Sequence, residues 1–233
     1  MAGDVGGAVK AELNVSEGTR WLQIVVGIVC MVATANIQYA WTLFVPEIQG
    51  TFGWARAEIQ IAFTIFVLVQ TWLAPIEGYF IDKFGPRMMV AFGAIMIAAA
   101  WVLNSKATTL MGFYVGAAVG GVGVGSIYAT CINNALKWFP DRRGLAVGLT
   151  AGGYGMGSAA TILPIAAMIK SSGFQETFFF FGLLQGGLAF LAAWFLRSPK
   201  ADEVKVSTKL EQSRRDYTLK EALNTKLFWL MFS

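Results

Sequence analysis

Six long runs without a charged residue constrain this chain more than any other feature of its sequence. Each run has about 18 or more residues, which is enough to cross a hydrocarbon layer of about 30 Å as an α-helix. The runs occupy residues 22–45, 59–76, 88–105, 107–136, 144–169 and 177–196. Because backbone groups in lipid must be hydrogen-bonded within their own segment, such runs favour helices. The sequence therefore predicts an all-α membrane protein with six transmembrane helices.

The positions of these runs divide the chain into four parts. We expect a cytoplasmic tail at 1–20, a six-helix bundle at 21–196, a charged cytoplasmic linker at 197–226 and the start of a truncated seventh span at 227–233. The spans are expected at about 21–45, 58–81, 87–105, 108–136, 143–169 and 176–196. Within the linker, residues 216–226 favour a short amphipathic helix on the membrane surface. Seven residues cannot cross a bilayer, so 227–233 indicates a chain cut inside a longer protein.

The distribution of Lys and Arg predicts how the bundle is oriented. With the N-terminus in the cytoplasm, fifteen of the eighteen Lys and Arg fall on the cytoplasmic side. Only Arg56, Lys106 and Lys170 then lie outside. This asymmetry predicts a cytoplasmic N-terminus. It also accounts for the net charge of +4 without a nucleic acid partner, because the positive side chains face the cytoplasm and anionic lipid headgroups.

Metal-binding and catalytic side chains are scarce. The sequence has no histidine, and both cysteines, Cys30 and Cys131, lie inside predicted spans. We therefore expect no disulfide framework, no Cys/His metal cluster and no cofactor, and we interpret both cysteines as packing residues. No carboxylate pair or activated nucleophile is visible, which argues against a membrane-embedded enzyme.

Glycines recur at four-residue spacing in spans 4 and 5. They are Gly112, Gly116 and Gly120 in span 4, and Gly144, Gly148 and Gly152 in span 5, with Gly153 and Gly157 offset. Such spacing lets helix backbones approach closely in lipid, so it predicts close packing. A dinucleotide-binding interpretation is excluded, because no strand precedes these glycines and no proper GxGxxG motif is present.

Two tyrosines lie at equal distances from a charged turn. Tyr128 and Tyr154 are each thirteen residues from Asp141, which lies between spans 4 and 5. On two antiparallel helices they are expected at the same depth, roughly 15 Å from the cytoplasmic surface and near the bilayer midplane. Two phenol groups at that depth need a polar partner.

Span 1 ends in a dense polar patch. It contains Asn36, Gln38, Tyr39, Trp41 and Thr42 within about two helical turns. Residues at this spacing share a face, so the patch is predicted to point into the bundle interior or a cavity. The alternative for Trp41 is an aromatic belt at the outer membrane surface.

A tight turn between spans 2 and 3 follows the pattern G-x-x-x-D-[KR]-x-G-[PR]-[RK]. Its residues are Gly78, Asp82, Lys83, Gly85, Pro86 and Arg87. This pattern resembles the loop 2 to 3 signature of the major facilitator superfamily. The resemblance implies that the aspartate and the basic residues lock cytoplasmic helix ends in one state of a transport cycle. The loop residues Asp141, Arg142 and Arg143 are predicted to share this gating role, and the alternative is a plain charged turn.

Four sequence runs together narrow the resemblance. IQYAWTLF, YFIDKFGPR, KWFPDRRGLAVG and TAGGYGMG are similar to the oxalate/formate antiporter family over nearly all of 21–198. The resemblance implies the N-terminal half of a twelve-helix carrier in the cell membrane, working by alternating access. It also implies a site for a small carboxylate, lined from this half by Gln38, Tyr39, Tyr128 and Tyr154. The cations that meet the carboxylate are then expected in a C-terminal half.

Several functions are compatible with these observations. An anion antiporter is the leading interpretation, and a proton-coupled carrier for lactate- or pyruvate-like monocarboxylates is the alternative. A membrane sensor that does not transport is a third. Glu77 is the only acidic residue close to a span interior, and its position suggests the cytoplasmic end. Because proton-coupled carriers place titratable groups at depth, these spans alone give little support for proton symport.

Overall fold

The computed structural model describes residues 11–200, 202–206 and 224–225. The helices are α1 (Glu17–Thr34), α2 (Asn36–Tyr39), α3 (Trp41–Phe52), α4 (Arg56–Trp72), α5 (Ala74–Lys106), α6 (Leu110–Trp138) and α7 (Arg143–Ala193). Two short strands are β1 (Ala11–Leu13) and β2 (Val204–Val206). The predicted all-α class is confirmed. The expected surface helix at 216–226 and the expected seventh span at 227–233 lie outside the described residues, apart from 224–225.

Four helical stretches in the described part are long and apolar enough to cross a membrane: Glu17–Phe52, Ala74–Lys106, Leu110–Trp138 and Arg143–Ala193. At 1.5 Å per residue, the 51 residues of α7 would extend about 76 Å, more than twice the thickness of a hydrocarbon core. A break at a glycine divides α7 into two helices, and a second glycine divides the 33-residue α5 in the same way. Gly173 in α7 has φ 83°, and Gly85 in α5 has φ 77°, a region that disfavours residues with a Cβ.

The two breaks give the bundle six transmembrane passages. Helices α1 to α3 form the first passage, and α4 with residues 74–84 forms the second. Residues 86–106 form the third, α6 the fourth, residues 143–172 the fifth and residues 174–193 the sixth. Pro86 directly follows Gly85 and occupies the start of the third passage, where its missing N–H is not needed.

Glycines let the helices approach closely, but only some of those at the four-residue spacing do so. A Cβ built on Gly157 would lie 2.9 Å from the Cα of Val32, and one on Gly153 would lie 3.3 Å from the Cα of Ile28. By contrast, a Cβ on Gly144, Gly148 or Gly152 would meet nothing within 4 Å. The packing prediction is therefore wrong for these three glycines. Gly153 and Gly157, by contrast, pack α7 closely against α1.

The same close approach joins α5 to α6 and buries an aromatic core. A Cβ on Gly93 would lie 2.7 Å from the carbonyl oxygen of Gly123, so both positions require glycine. In the core, the rings of Phe44 and Phe178 stack at 3.9 Å, and Trp101 meets Phe178 edge-on at 5.2 Å. Large exposed apolar side chains cover the outside of the passages, as expected for a surface that faces lipid.

A short antiparallel strand pair lies outside the bundle. Strands β1 and β2 pair with Ala11 opposite Val206 and Leu13 opposite Val204. The backbone N–H of Asn14 also donates to the carbonyl of Glu203 at 3.0 Å. These bonds join the segment before the first helix to the segment after the last one.

Candidate functional site

The four predicted binding residues come together between α2, α6 and α7. The hydroxyl of Tyr154 donates a 2.8 Å hydrogen bond to Oε1 of Gln38. The ring of Tyr154 lies 5.3 Å from the ring of Tyr39 and 5.5 Å from the ring of Tyr128, measured between centroids. We call Gln38, Tyr39, Tyr128 and Tyr154 the tyrosine cluster.

The backbone explains why these side chains meet. Helix α2 is a single turn between Ala35 and Ala40, which both keep right-handed helical backbone angles, and it carries both Gln38 and Tyr39. Close packing through the glycine next to Tyr154 brings α7 against the first passage at this level. Tyr154 is therefore buried, with 5% of its surface exposed, whereas Tyr39 is 44% exposed. The buried ring of Tyr154 thus packs against the more accessible ring of Tyr39.

The hydrogen bond leaves donors available to a ligand. Because Gln38 accepts through Oε1, its amide Nε2 keeps two N–H donors. Among the described residues, the hydroxyls of Tyr39 and Tyr128 form no hydrogen bond with a side chain or backbone group. Neutral donors of this kind suit an acceptor such as a carboxylate oxygen, and no fixed negative charge lies within the cluster.

A cavity of about 280 Å³, with several polar side chains in a mostly apolar lining, borders the cluster at Tyr128. Gln70 and Thr71 of α4, Glu77 of α5 and Gly125 of α6 also line it. Glu77 is only 4% exposed. It lies eight residues before the break at Gly85, about 12 Å along the helix, so it is buried within the second passage, on the cytoplasmic side as its sequence position suggests. The structure therefore revises the argument that these spans hold no titratable group at depth.

Two other residues of the polar patch at the end of span 1, Asn36 and Trp41, point into the bundle, whereas Thr42 is exposed. Asn36 is fully buried and donates through Nδ2 to the hydroxyl of Thr161 on α7. Trp41 is buried, and its Nε1 donates to Oε1 of Gln60 at 2.9 Å. Trp41 thus lies within the bundle, and the alternative of an outer aromatic belt is wrong.

A buried arginine joins the cytoplasmic end of the first passage to the end of the fourth passage and the loop that follows it. Arg20, at the start of α1, is 2% exposed and forms an ion pair with Asp141. Its Nε donates to the carbonyl of Trp138 at 2.9 Å, and its guanidinium lies 4.2 Å from the ring centroid of Phe139. We call this arrangement the Arg20 clamp. Sequence reasoning missed it, because Arg20 was counted only as a positive charge that sets orientation.

The second predicted gating site is more exposed. Lys137 Nζ lies 3.1 Å from Oδ1 of Asp82, and the two side chains are 40% and 70% exposed. The guanidinium of Arg87 lies 5.9 Å from the ring centroid of Trp194. Asp82 and Arg87 flank the break at Gly85. The contact of Asp82 therefore joins the helix before the break to α6, and the contact of Arg87 joins the helix after the break to the end of the sixth passage.

The other predicted gating residues make fewer contacts. Gly78 borders open space on the side where a Cβ would lie. The ammonium of Lys83 lies 5.4 Å from the ring centroid of its neighbour Phe84. Arg142 and Arg143 are exposed, and Arg142 Nε is 3.7 Å from the carboxylate of the adjacent aspartate in the Arg20 clamp.

A further set of hydrogen bonds fixes the end of the sixth passage. Gln23 on α1 accepts from the backbone N–H of Arg197 at 2.9 Å and donates to the carbonyl of Phe195 at 3.0 Å. The guanidinium of Arg197 binds both carboxylate oxygens of Glu203, at 2.7 and 2.9 Å. This bidentate bonding lowers the pKa of Glu203 from 4.5 to about 2. Gln23 gave no signal in the sequence, since a single glutamine near a span end is common.

The fold and these interior polar contacts define a multi-pass membrane protein built from a six-passage helical bundle. The model of the Major Facilitator Superfamily matches residues 24–233. The chain belongs to this superfamily.

Individual relatives agree with this assignment. The chain is 34% identical over 93% of its length to the oxalate:formate antiporter of Oxalobacter formigenes, covering 51% of that protein. It is 24% identical over 91% of its length to the uncharacterized transporter YhjX of Escherichia coli, covering 52% of it. It is 22% identical over 78% of its length to human monocarboxylate transporter 7, covering 36%. The chain thus spans about half the length of the first two relatives, and the resemblance to the oxalate/formate antiporter family is confirmed.

Proposed function

We propose that this chain forms the N-terminal half of a secondary transporter that moves small carboxylates across the cell membrane, as an anion antiporter of the oxalate/formate type. The observation that carries the proposal is the hydrogen bond from Tyr154 to Gln38. It fixes the glutamine with its amide donors free, beside two further phenols. The similarity to the oxalate:formate antiporter supports the substrate class.

The same chemistry argues for a second half. Desolvating a carboxylate near the midplane costs several kcal/mol, and an ionised partner that hydrogen-bonds to the carboxylate offsets that cost more strongly than a neutral donor does. The tyrosine cluster contains no Lys or Arg, so the complete carrier takes its compensating cation from a second six-helix bundle. That bundle also gives the first one a partner to rock against during alternating access.

The cytoplasmic contacts fit a gating role. The Arg20 clamp and the pair of Asp82 with Lys137 both join the cytoplasmic ends of passages, far along the helices from the tyrosine cluster. We propose that Asp82 and Arg87 act on the equilibrium between transport states and do not contact the substrate. Asp82→Asn is then expected to change the transport rate more than the equilibrium affinity.

Proton-coupled monocarboxylate transport is the second candidate. The buried carboxyl of Glu77, beside the cavity that Tyr128 lines, favours it over the sequence-based expectation. Symport would be driven by a pH gradient, whereas antiport would be driven by substrate on the opposite side. A membrane sensor without flux is a further alternative.

A matched pair of variants tests the proposal. This chain is combined in proteoliposomes with a C-terminal half from the Oxalobacter formigenes relative, and uptake of labelled oxalate is measured against internal unlabelled oxalate. Tyr154→Phe removes the hydrogen bond to Gln38 and is expected to weaken substrate affinity by about 2- to 12-fold, the equivalent of one hydrogen bond. Tyr114→Phe is the control, because its hydroxyl bonds to the Glu58 carbonyl outside the cluster. Equal affinity for the two variants would contradict the site, and no flux with any carboxylate would contradict transport.

A further inference from the structure

One buried carboxyl group lies between two cavities, and no Lys or Arg of the described residues forms an ion pair with it. Oε1 of Glu77 accepts a hydrogen bond from the hydroxyl of Ser126 at 3.3 Å. Oε2 is buried and has no hydrogen-bond partner. An ionised carboxylate in such a place would cost several kcal/mol, and none of the salt bridges among the described residues involves Glu77.

The neighbouring helix is shaped to admit this group. A Cβ built on Gly125 would lie 2.7 and 2.8 Å from the two oxygens of Glu77, so only glycine leaves room for the carboxyl group there. Gly125 precedes Ser126, so one glycine makes the space and the next residue supplies the hydrogen-bond donor. This arrangement holds the carboxyl against α6 inside the membrane.

The two cavities on either side of Glu77 differ in character. On one side is the cavity at Tyr128, whose lining includes the polar side chains of Gln70, Thr71 and Tyr128. On the other is an apolar cavity of about 450 Å³, lined by phenylalanine, methionine and aliphatic side chains together with Glu77 and Ser126. Of the described residues that line either cavity, Tyr128 is the only other titratable one. No Lys or Arg from α4, α5 or α6 therefore lines the space around the carboxyl.

We propose that Glu77 is a proton-binding site within the membrane, and that its protonation is linked to the occupancy of the tyrosine cluster by a carboxylate. The linkage rests on the proposed function, whereas the proton site does not. An anion bound beside Tyr128 disfavours a second negative charge at Glu77, so binding of the anion favours uptake of a proton. By reciprocity, protonation of Glu77 strengthens anion binding by the same factor.

A lipophilic carbodiimide tests the proton site directly. N,N′-dicyclohexylcarbodiimide partitions into apolar regions and reacts with protonated carboxyl groups. The acid oxygen bonds to the central carbon while its proton moves to nitrogen, and the O-acylisourea rearranges to a stable N-acylurea without a leaving group. With the chain in lipid vesicles, we expect mass spectrometry to find the adduct at Glu77, with a yield that falls as pH rises.

The controls separate this site from surface carboxyls. Glu77→Gln is expected to lose the adduct, and Asp82→Asn, which changes an exposed carboxylate, is expected to retain it. Glu77→Asp keeps a carboxyl group in place if the glutamine variant folds poorly. No adduct at Glu77 at any pH, or a yield equal to that of exposed carboxyls, would overturn the proton site.

The linkage is tested in vesicles that hold this chain together with the C-terminal half. Saturating oxalate is expected to raise the pH midpoint of labelling by about one unit, the size of shift that a nearby like charge produces. Tyr154→Phe, which weakens binding, should require more oxalate for the same shift. Oxalate exchange with an unmoved midpoint would overturn the linkage alone, whereas absence of exchange with pH-dependent labelling would count against the proposed function and leave the proton site supported.

Discussion

Removing Arg20 should destabilise the bundle far more than removing a comparable surface cation. We choose Arg20→Met, which keeps the length and apolar packing of the side chain but deletes its charge. The change leaves the carbonyl of Trp138 and the carboxylate of Asp141 without their buried donor. Loss of one partner from a buried ion pair costs about 3 to 5 kcal/mol.

Two features of the structure reduce this figure. The side chain of Asp141 is 19% exposed, and Arg142 Nε lies 3.7 Å from its second oxygen. Water and a second cation therefore compensate part of the loss, and we expect about 2 to 3 kcal/mol. For a chain of this size, that corresponds to a fall in melting temperature of roughly 4 to 12 °C.

The assay is thermal unfolding of the purified chain in detergent, followed by tryptophan fluorescence. Lys137→Met is the control, since it breaks a lysine–aspartate pair that is largely exposed and is worth less than about 1 kcal/mol. Asp141→Asn and the double variant with Arg20→Met complete a cycle, in which the two losses should be less than additive by about 1 to 3 kcal/mol. Equal melting temperatures for Arg20→Met and Lys137→Met, or strictly additive losses, would refute the buried clamp.

Three further predictions follow from the packing, the ion pair and the cluster. Gly157→Ala should destabilise the chain by about 1 to 3 kcal/mol through overpacking, whereas Gly148→Ala, with open space, should be neutral or up to about 1 kcal/mol stabilising in the same unfolding assay. The contact of Glu203 with Arg197 should be complete above pH 4.5 and lost as pH falls through about 2, because the folded pKa is lowered; a carboxyl ¹³C titration should show this midpoint, and Arg197→Gln should return it towards 4.5. Tyr154→Phe should lower the melting temperature only slightly, by the equivalent of about 1 kcal/mol, while it weakens oxalate affinity; a large loss of stability would indicate a structural role alone.

The proximity of the tyrosines could be predicted from sequence because it depends only on counting residues. Tyr128 and Tyr154 lie equally far from the turn, and antiparallel helices bring such residues to one depth. The turn at Gly85 could be predicted for a similar reason, since glycine followed by proline favours reversal of the chain. Whether the cluster binds a carboxylate stays a prediction.

The glycine contacts, the Arg20 clamp and the burial of Glu77 could not be predicted from the sequence. They depend on how the helices are rotated and on contacts between residues that are far apart in the chain. Gly148 and Gly157 share one helix and one kind of spacing, but only the angle at which α7 meets α1 decides which of them is in contact. Arg20 pairs with a residue 121 positions away, and nothing in its local sequence indicates that it is buried. Glu77 is buried because Gly125 on another helix makes room for it, which no local pattern near Glu77 reveals.

Exchange by separated halves tests the central claim most directly. Vesicles that contain this chain alone are compared with vesicles that contain it together with the C-terminal half of the Oxalobacter formigenes relative. In both, uptake of labelled oxalate, formate and lactate is measured against internal unlabelled substrate. We predict saturable exchange of oxalate or formate only with both halves, because the tyrosine cluster offers donors but no cation. Saturable exchange by the chain alone, at a rate near that of the combined halves, would contradict this account.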